Sequence, residues 1–152
     1  MIVYRIGRTK HANDLTGEGA RLYGARWNHV GTPCVYTSEN RALALLEYTV
    51  NIGIDDIPRA LSIMTISIPD HQIHTIPVPE LPGNWKTVPP PPETKDFGTA
   101  LLKSAVHPIL KMPSSVITEE FNFLLNPLHP DSSQFEILLV QDFIYDVRIK
   151  LA

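Results

Sequence analysis

The sequence predicts an α+β fold, in which a mixed, largely antiparallel sheet carries a few helices. Short segments in which apolar and polar residues alternate occur along the whole 152-residue chain, as expected for strands. Two segments have the three- and four-residue spacing of apolar side chains that is typical of a helix. The 14 prolines amount to about twice the typical share of ~5%, and many of them interrupt the middle of the chain.

The strand-like segments are short and distributed over the whole chain. In chain order they are 2–7, 34–38, 60–69, 109–117, 120–127, 135–143 and 146–151, and residues 71–78 either continue the third segment or form an edge strand. Glycines in residues 8–33 indicate a region that is mostly loop with short ordered pieces. Four consecutive prolines in residues 79–94 favour an extended polyproline conformation at the surface.

The two predicted helices cover residues 38–50 and 94–107. In the first helix, Ser38 is the expected N-cap, and Glu39 would lie at the positive end of the helix dipole. Gly53 is a plausible end for this helix, since glycine often follows the last helical turn.

Length, charge and hydropathy indicate a single domain and argue against binding to nucleic acid or insertion into a membrane. At 152 residues, the chain suits a single domain with a hydrophobic core, and we expect one domain over residues 1–152. The net charge of −3, with scattered Lys and Arg, does not favour binding to nucleic acid or to an anionic membrane. No segment approaches the roughly 20 apolar residues that span a bilayer, and no signal peptide is evident. A cytoplasmic location is therefore the default expectation.

Cysteine and histidine give no indication of a metal centre. Cys34 is the only cysteine, which excludes an internal disulfide and a cysteine-rich zinc site, and we expect it to pack in the core. Only His71 and His74 lie close together in sequence, and on a strand their side chains would point to opposite faces. We therefore predict surface histidines and no bound metal.

Glu47 is unusual because of its neighbours in the first predicted helix. Leu43, Leu46 and Val50 recur at helical spacing, and Glu47 falls on the same side. A carboxylate that faces the core needs a cation or hydrogen-bond donors nearby, or it must line a cleft. Two interpretations stay open from the residues alone, a structural ion pair and a functional site.

Arg26 and Trp27 form the second candidate feature. They lie in the loop 24–28, where the planar guanidinium could hold a phosphate or a carboxylate. The alternative is an exposed arginine beside a packed tryptophan. Together with Glu47, Arg26 would suit a pocket for a substrate that has both anionic and cation-like parts.

Four segments of the chain resemble the RES domain family. They are "YRIG" (4–7), "LTGEGARLYGARWNHVGTPCVYTSENRALALLEYTV" (15–50), "PSSVITEEFNFLLNPLHPD" (113–131) and "FIYDVRIKL" (143–151). The family commonly has two glycines before Arg-Trp-Asn, whereas this chain has Ala25 in the second position. The proline-rich stretch lies where members of the family vary.

The resemblance implies an ADP-ribosyltransferase-like fold and NAD+ as the substrate, without a metal. The family's arginine and glutamate correspond to Arg26 and Glu47, and its tyrosine corresponds to Tyr36. Its serine corresponds to Ser114, with the neighbouring Ser115 as an open alternative. The residues expected to bind NAD+ are Arg26, Trp27, Asn28, Tyr36 and Ser114.

The resemblance also implies a function. RES proteins resemble the toxins of bacterial toxin–antitoxin pairs with an Xre-type antitoxin as partner, and a homodimer within the complex is left open. We expect cleavage of the nicotinamide–ribose bond of NAD+, by hydrolysis or phosphorolysis, which would deplete NAD+ and arrest growth. Two alternatives are an ADP-ribosyltransferase that modifies one host protein and a catalytically silent module that binds the antitoxin.

Overall fold

The computed structural model describes residues 1–150, which form seven strands and three α-helices joined by loops and short 3-10 turns. The strands are β1 (Ile2–Arg8), β2 (Val35–Ser38), β3 (Leu61–Ser67), β4 (Ile73–Thr75), β5 (Ile109–Pro113), β6 (Phe121–Leu125) and β7 (Glu136–Phe143). The helices are α1 (Glu18–Tyr23), α2 (Arg41–Val50) and α3 (Pro92–Ser104).

All seven strands belong to one sheet, in the order β4-β5-β6-β2-β1-β3-β7. Every neighbouring pair is antiparallel except β4 and β5, which are parallel. The predicted fold class, a mixed and largely antiparallel sheet with a few helices, is therefore confirmed. The short edge strand β4 covers the middle of the segment 71–78 for which two interpretations were open.

The sheet buries apolar side chains on both faces, because successive residues of a strand point to opposite sides. Phe123 and Leu125 of β6 contribute to one hydrophobic cluster, and Leu124 between them contributes to the other. The second cluster contains Trp27 and Trp85, so it anchors two loops as well as the sheet. Helix α2 packs against β1 and β2, in the centre of the sheet.

The helix predicted over residues 38–50 is α2, and its N-cap lies two residues later than predicted. Asn40 is its N-cap, and its side chain accepts a hydrogen bond from the Leu43 backbone N–H at 2.7 Å. The prediction that Ser38 caps the helix is wrong, since Ser38 is the last residue of β2. Glu39 is not in the first turn either, and its carboxylate accepts a hydrogen bond from the backbone N–H of Phe121. Both corrections have the same cause, because β2 continues through Ser38 by pairing with β6.

The end of α2 also differs from the prediction. The helix ends at Val50, with Asn51 as its C-cap, before Gly53 is reached. Val50 is 54% exposed, so it does not belong to a buried apolar face. Leu43 is fully buried, as predicted, and the buried residue near the end of the helix is Thr49.

Three further boundaries were misjudged. The segment 146–151 was predicted as a strand, but Val147–Ile149 form a 3-10 turn, and residue 151 lies outside the described residues. Strand β5 ends at Pro113, so residues 114–117 lie in the loop that follows it. Helix α3 starts at Pro92, a position that suits proline because the first helical N–H needs no partner in the helix.

Candidate active site

A cavity of about 560 Å³ opens beside α2 and the central strands. This volume falls within the range of roughly 300–1,000 Å³ that is typical of small-molecule sites. Strands β1, β2 and β6, helix α2 and the loop 24–28 all contribute to its wall. Its lining includes Arg26, Trp27, Tyr36, Glu47, Ser115 and Asn122.

Glu47 lies in the wall of this cavity and is half-buried. Its Oε1 accepts a hydrogen bond from the Ser114 hydroxyl at 2.7 Å and another from Asn122 Nδ2 at 2.6 Å. Its Oε2 accepts no hydrogen bond from any residue between 1 and 150. One oxygen of the carboxylate is thus fixed by the protein, while the other remains available to a ligand.

Ser114 is fully buried and lies behind Glu47, outside the lining of the cavity. Its oxygen accepts hydrogen bonds from the backbone N–H groups of Val116 and Ile117, at 3.0 and 3.2 Å. Because these bonds use the lone pairs of the oxygen, its single hydrogen is free to point at Glu47. Ser115 does line the cavity, but makes no hydrogen bond to Glu47.

Asn122 is a site residue that the sequence reasoning missed. Its side-chain oxygen accepts a hydrogen bond from the Ser38 hydroxyl at 2.8 Å, which leaves its amide hydrogens to face Glu47. The signal in the sequence was a polar residue between Phe121 and Phe123, inside a segment that carried the resemblance. Strand pairing places Asn122 opposite Ser38, so the end of β2 supports the carboxylate through β6.

Arg26 is half-buried at the edge of the same cavity. Its Nη1 donates to two backbone carbonyls of the proline-rich loop, those of Trp85 at 2.8 Å and Thr87 at 2.9 Å. Burial lowers the pKa of the Arg26 guanidinium, whereas the charge of Glu47 raises it. Arginine stays charged at neutral pH in proteins, so the cavity contains a cation and a carboxylate together.

Tyr36 lines the cavity, and its hydroxyl is bonded within the loop 24–28. The hydroxyl accepts a hydrogen bond from the Trp27 backbone N–H at 3.1 Å and donates one to Asn28 Oδ1 at 2.7 Å. Burial, the largest effect, raises the pKa of Tyr36 well above its ordinary value. The phenol therefore stays neutral and holds the loop against β2.

Asn28 is fully buried and does not line the cavity. Its side-chain amide donates to the carbonyl oxygens of Ala20 and Thr32, at 2.8 and 3.0 Å. With its oxygen bonded to Tyr36, both ends of the Asn28 amide are occupied by the protein. In this structure Asn28 shapes the loop, and contact with a ligand would require the loop to open.

Trp27 is almost fully buried and packs against helix α3. A methyl group at Gly98 would lie 2.0 Å from the Trp27 carbonyl oxygen, so only glycine permits this approach of helix and loop. Phe97 packs edge-on against the Trp27 ring at 6.0 Å. Ala25 has no positive φ angle, which explains why this chain tolerates alanine where the family has its second glycine.

Metal ligands, the single cysteine and membrane-spanning helices are the remaining features that could bear on function. Among residues 1–150, no group of three or more His, Cys, Asp and Glu side chains is arranged to hold a metal ion. Cys34 is buried, and burial raises the pKa of its thiol. No helix in this described range is long and apolar enough to cross a membrane.

Fold and site together define an α+β domain in which a half-buried glutamate and an arginine share one ligand-sized cleft. The RES domain family model matches residues 2–148, nearly the whole chain. The chain belongs to the RES domain family.

Several curated proteins are similar over nearly their full length. "Prs ADP-ribosylating toxin" of Sphingobium sp. (strain YBL2) is 35% identical, with 93% of this chain and 90% of that protein covered. "Toxin Res" of Yersinia enterocolitica is 37% identical, with 99% and 100% covered. "Toxin Res" of Photorhabdus laumondii is 33% identical, with 89% and 87% covered.

A solved structure is also similar. It is titled "Crystal structure of the M.tuberculosis MbcT-MbcA toxin-antitoxin complex" and matches with a TM-score of 0.71, covering 93% of this chain and 83% of that one. The sequence identity is 17%, so this likeness establishes the fold alone.

Proposed function

We propose that this protein is the toxin of a toxin–antitoxin pair and that it cleaves the nicotinamide–ribose bond of NAD+. The observation that carries the proposal is the arrangement at Glu47, which lines the cavity and of which Ser114 and Asn122 hold one carboxylate oxygen while the other accepts no hydrogen bond from residues 1–150. Membership of the RES family and the relatives named as toxins support the same conclusion.

The chemistry of bond cleavage suits this arrangement. Breaking the bond between nicotinamide and ribose leaves positive charge on the sugar, as in the oxocarbenium-like transition state of glycoside cleavage. Nicotinamide departs as a neutral molecule, so no strong general acid is required. An ionised Glu47 would accept a hydrogen bond from a ribose hydroxyl and stabilise the developing cation, an interaction that strengthens as the bond breaks.

The other residues of the cavity would bind and orient the dinucleotide. Arg26 would hold the diphosphate or a ribose hydroxyl through the N–H groups that the protein leaves free. Tyr36 would stack its ring on the nicotinamide, since its hydroxyl is already bonded within the protein. Ser114 would act through Glu47, and Trp27 and Asn28 would maintain the shape of the loop that carries Arg26.

The acceptor of the ADP-ribosyl group decides between depletion of NAD+ and modification of a protein. We favour water or phosphate as the acceptor, since neither requires a surface that recognises a protein target. Transfer to a host protein is the second candidate, and the relative named "Prs ADP-ribosylating toxin" favours it. A catalytically silent module is disfavoured, since Arg26, Tyr36 and Glu47 line one cavity and Ser114 donates a hydrogen bond to Glu47.

An antitoxin of the Xre type is the proposed partner, and the similar structure described as a toxin–antitoxin complex supports an antitoxin as the partner. We expect the toxin to act on cytoplasmic NAD+. A homodimer within the complex stays a prediction.

One experiment separates the acceptors. The purified protein is incubated with NAD+ labelled in the adenosine half, with or without phosphate, and with or without a cell lysate. ADP-ribose as the product indicates hydrolysis, a phosphate-dependent product indicates phosphorolysis, and a labelled protein band indicates transfer. Intact NAD+ under all four conditions contradicts the proposed function.

A further inference from the structure

The proline-rich residues 77–91, here called the strap, contribute Pro90 to the lining of the cavity and present two backbone carbonyls to Arg26. Tight turns fix the direction of these carbonyls: Trp85 N–H donates to the Pro82 carbonyl and Thr87 N–H to the Asn84 carbonyl, both at 3.0 Å. The strap lies outside the segments that carry the resemblance to the RES family, so the family pattern does not explain its role.

Both carbonyls accept from the same nitrogen, Nη1 of Arg26. A guanidinium has five N–H donors, two of which are on Nη1. The strap therefore uses the Nη1 hydrogens and leaves the Nε and Nη2 hydrogens, which form the planar fork that suits bidentate binding of a phosphate.

Carbonyl groups orient a cation without cancelling its charge. Arg21 offers the contrast within this chain, because its guanidinium is bonded to the Glu18 carboxylate by Nε and Nη2, which neutralises both groups. Arg26 has no carboxylate partner at hydrogen-bonding distance among residues 1–150, so its charge and its fork both remain available to an anionic ligand.

The strap is anchored to the core by the indole of Trp85. Trp85 is 6% exposed and belongs to the same hydrophobic cluster as Trp27, the residue that follows Arg26. The Trp27 indole therefore fixes the backbone next to Arg26, and the Trp85 indole fixes the segment whose carbonyls accept from Arg26.

We propose that the strap is a positioning element that presets the Arg26 fork for the diphosphate of the dinucleotide, and that Trp85 is its positioning residue. This inference rests on the proposed function only for the identity of the ligand. The strap should lower the KM for NAD+ and have little effect on kcat. The reason is that a contact with the diphosphate is made equally in the ground state and in the transition state.

The test is a double-mutant cycle on the binding of ADP-ribose, measured by calorimetry, with Trp85→Leu and Arg26→Ala. Loss of one charge-assisted hydrogen bond corresponds to about a tenfold weaker affinity. We expect Trp85→Leu to weaken binding by about tenfold in the wild-type background and by less than about twofold in the Arg26→Ala background. Val88→Ala is the matched control, because this strap side chain is 81% exposed, and its affinity should match that of the wild type.

A second variant covers the case in which Trp85→Leu fails to fold. Insertion of two glycines between Lys86 and Thr87 separates the two carbonyls without removing the indole, and the same dependence on Arg26 is expected. The proposal is overturned if folded strap variants bind ADP-ribose as the wild type does, if they weaken binding equally in both backgrounds, or if the wild type does not bind it. Wild-type protein that binds ADP-ribose but consumes no NAD+ contradicts the proposed function. The double-mutant cycle still tests the role of the strap in that case, because it measures binding and not catalysis.

Discussion

Replacing Ser114 with alanine tests how the protein holds its carboxylate. The substitution removes the hydroxyl that donates to Glu47 Oε1 at 2.7 Å and leaves the Asn122 amide as the remaining donor. It creates no new contact, because alanine is smaller than serine and Ser114 is fully buried. The carboxylate should keep its place in the cavity but lose half of its fixed hydrogen bonds.

The expected size of the effect follows from the contacts. A hydrogen bond to a charged group contributes about 1.5–3 kcal/mol, so kcat should fall by about 10- to 100-fold because the carboxylate is held less firmly for the transition state. Stability should fall by about 1–2 kcal/mol, since the backbone N–H groups of Val116 and Ile117 also lose their acceptor. For a domain of this length, that corresponds to a melting temperature lower by about 2–8 °C.

The assay is the release of nicotinamide by purified variants, combined with a thermal melt. Ser115→Ala is the matched control, because Ser115 is the next residue and makes no hydrogen bond to Glu47, and we expect a clearly smaller loss of kcat. A folded Ser114→Ala protein with full activity, beside an inactive Ser115→Ala protein, would refute the reasoning and move the family's serine to position 115.

Three further substitutions probe the surrounding structure. Asn122→Ala removes the second donor to Glu47, and kcat should again fall by about 10- to 100-fold in the same assay; an unchanged kcat would contradict the assignment. Gly98→Ala forces a methyl group against the Trp27 carbonyl oxygen, so the melting temperature should drop sharply, and an unaltered melt would show that helix and loop can separate freely. Tyr36→Phe should cost about 1–3 kcal/mol in urea titrations by leaving the Trp27 N–H without its acceptor. Since the pKa of Tyr36 is raised in the folded state, wild-type stability should be lost as the pH rises above about 10, and this loss should be smaller in the variant.

Much of the fold could be predicted because its strands are short and bounded by clear interruptions. The pattern of 60–69 predicted β3, and that of 120–127 predicted β6, in each case with ends displaced by a few residues. Sequence alone could not give the order of the strands, which depends on pairings between distant segments such as β2 and β6.

Errors were concentrated at positions where tertiary contacts outweigh local preference. Ser38 is a good helix cap in isolation, but its backbone pairs in the sheet and its hydroxyl bonds to Asn122. Val50 has the spacing of a core residue, yet the helix ends there and exposes it. Neither outcome can be read from the residues within one helical turn.

In the candidate site too, local pattern predicted part of the arrangement and tertiary contacts decided the rest. Helical spacing placed Glu47 on the same side as Leu43. A carboxylate on that side needs hydrogen-bond donors or must line a cleft, so a cleft was one of the structures that the sequence predicted. The residues that hold it, Ser114 and Asn122, lie 67 and 75 positions away, and only the folded sheet brings them together. The resemblance indicated Ser114, with Ser115 as an open alternative. It did not indicate Asn122, whose role depends on hydrogen-bond geometry.

The most direct test of the central claim is the rate at which Glu47→Gln releases nicotinamide from NAD+. Glutamine keeps the size of the side chain but removes the negative charge, so it cannot stabilise a cationic ribose to the same extent. The account predicts a folded protein that still binds ADP-ribose and releases nicotinamide at least about 100-fold more slowly than the wild type. A Glu47→Gln protein that consumes NAD+ at the wild-type rate would contradict the account.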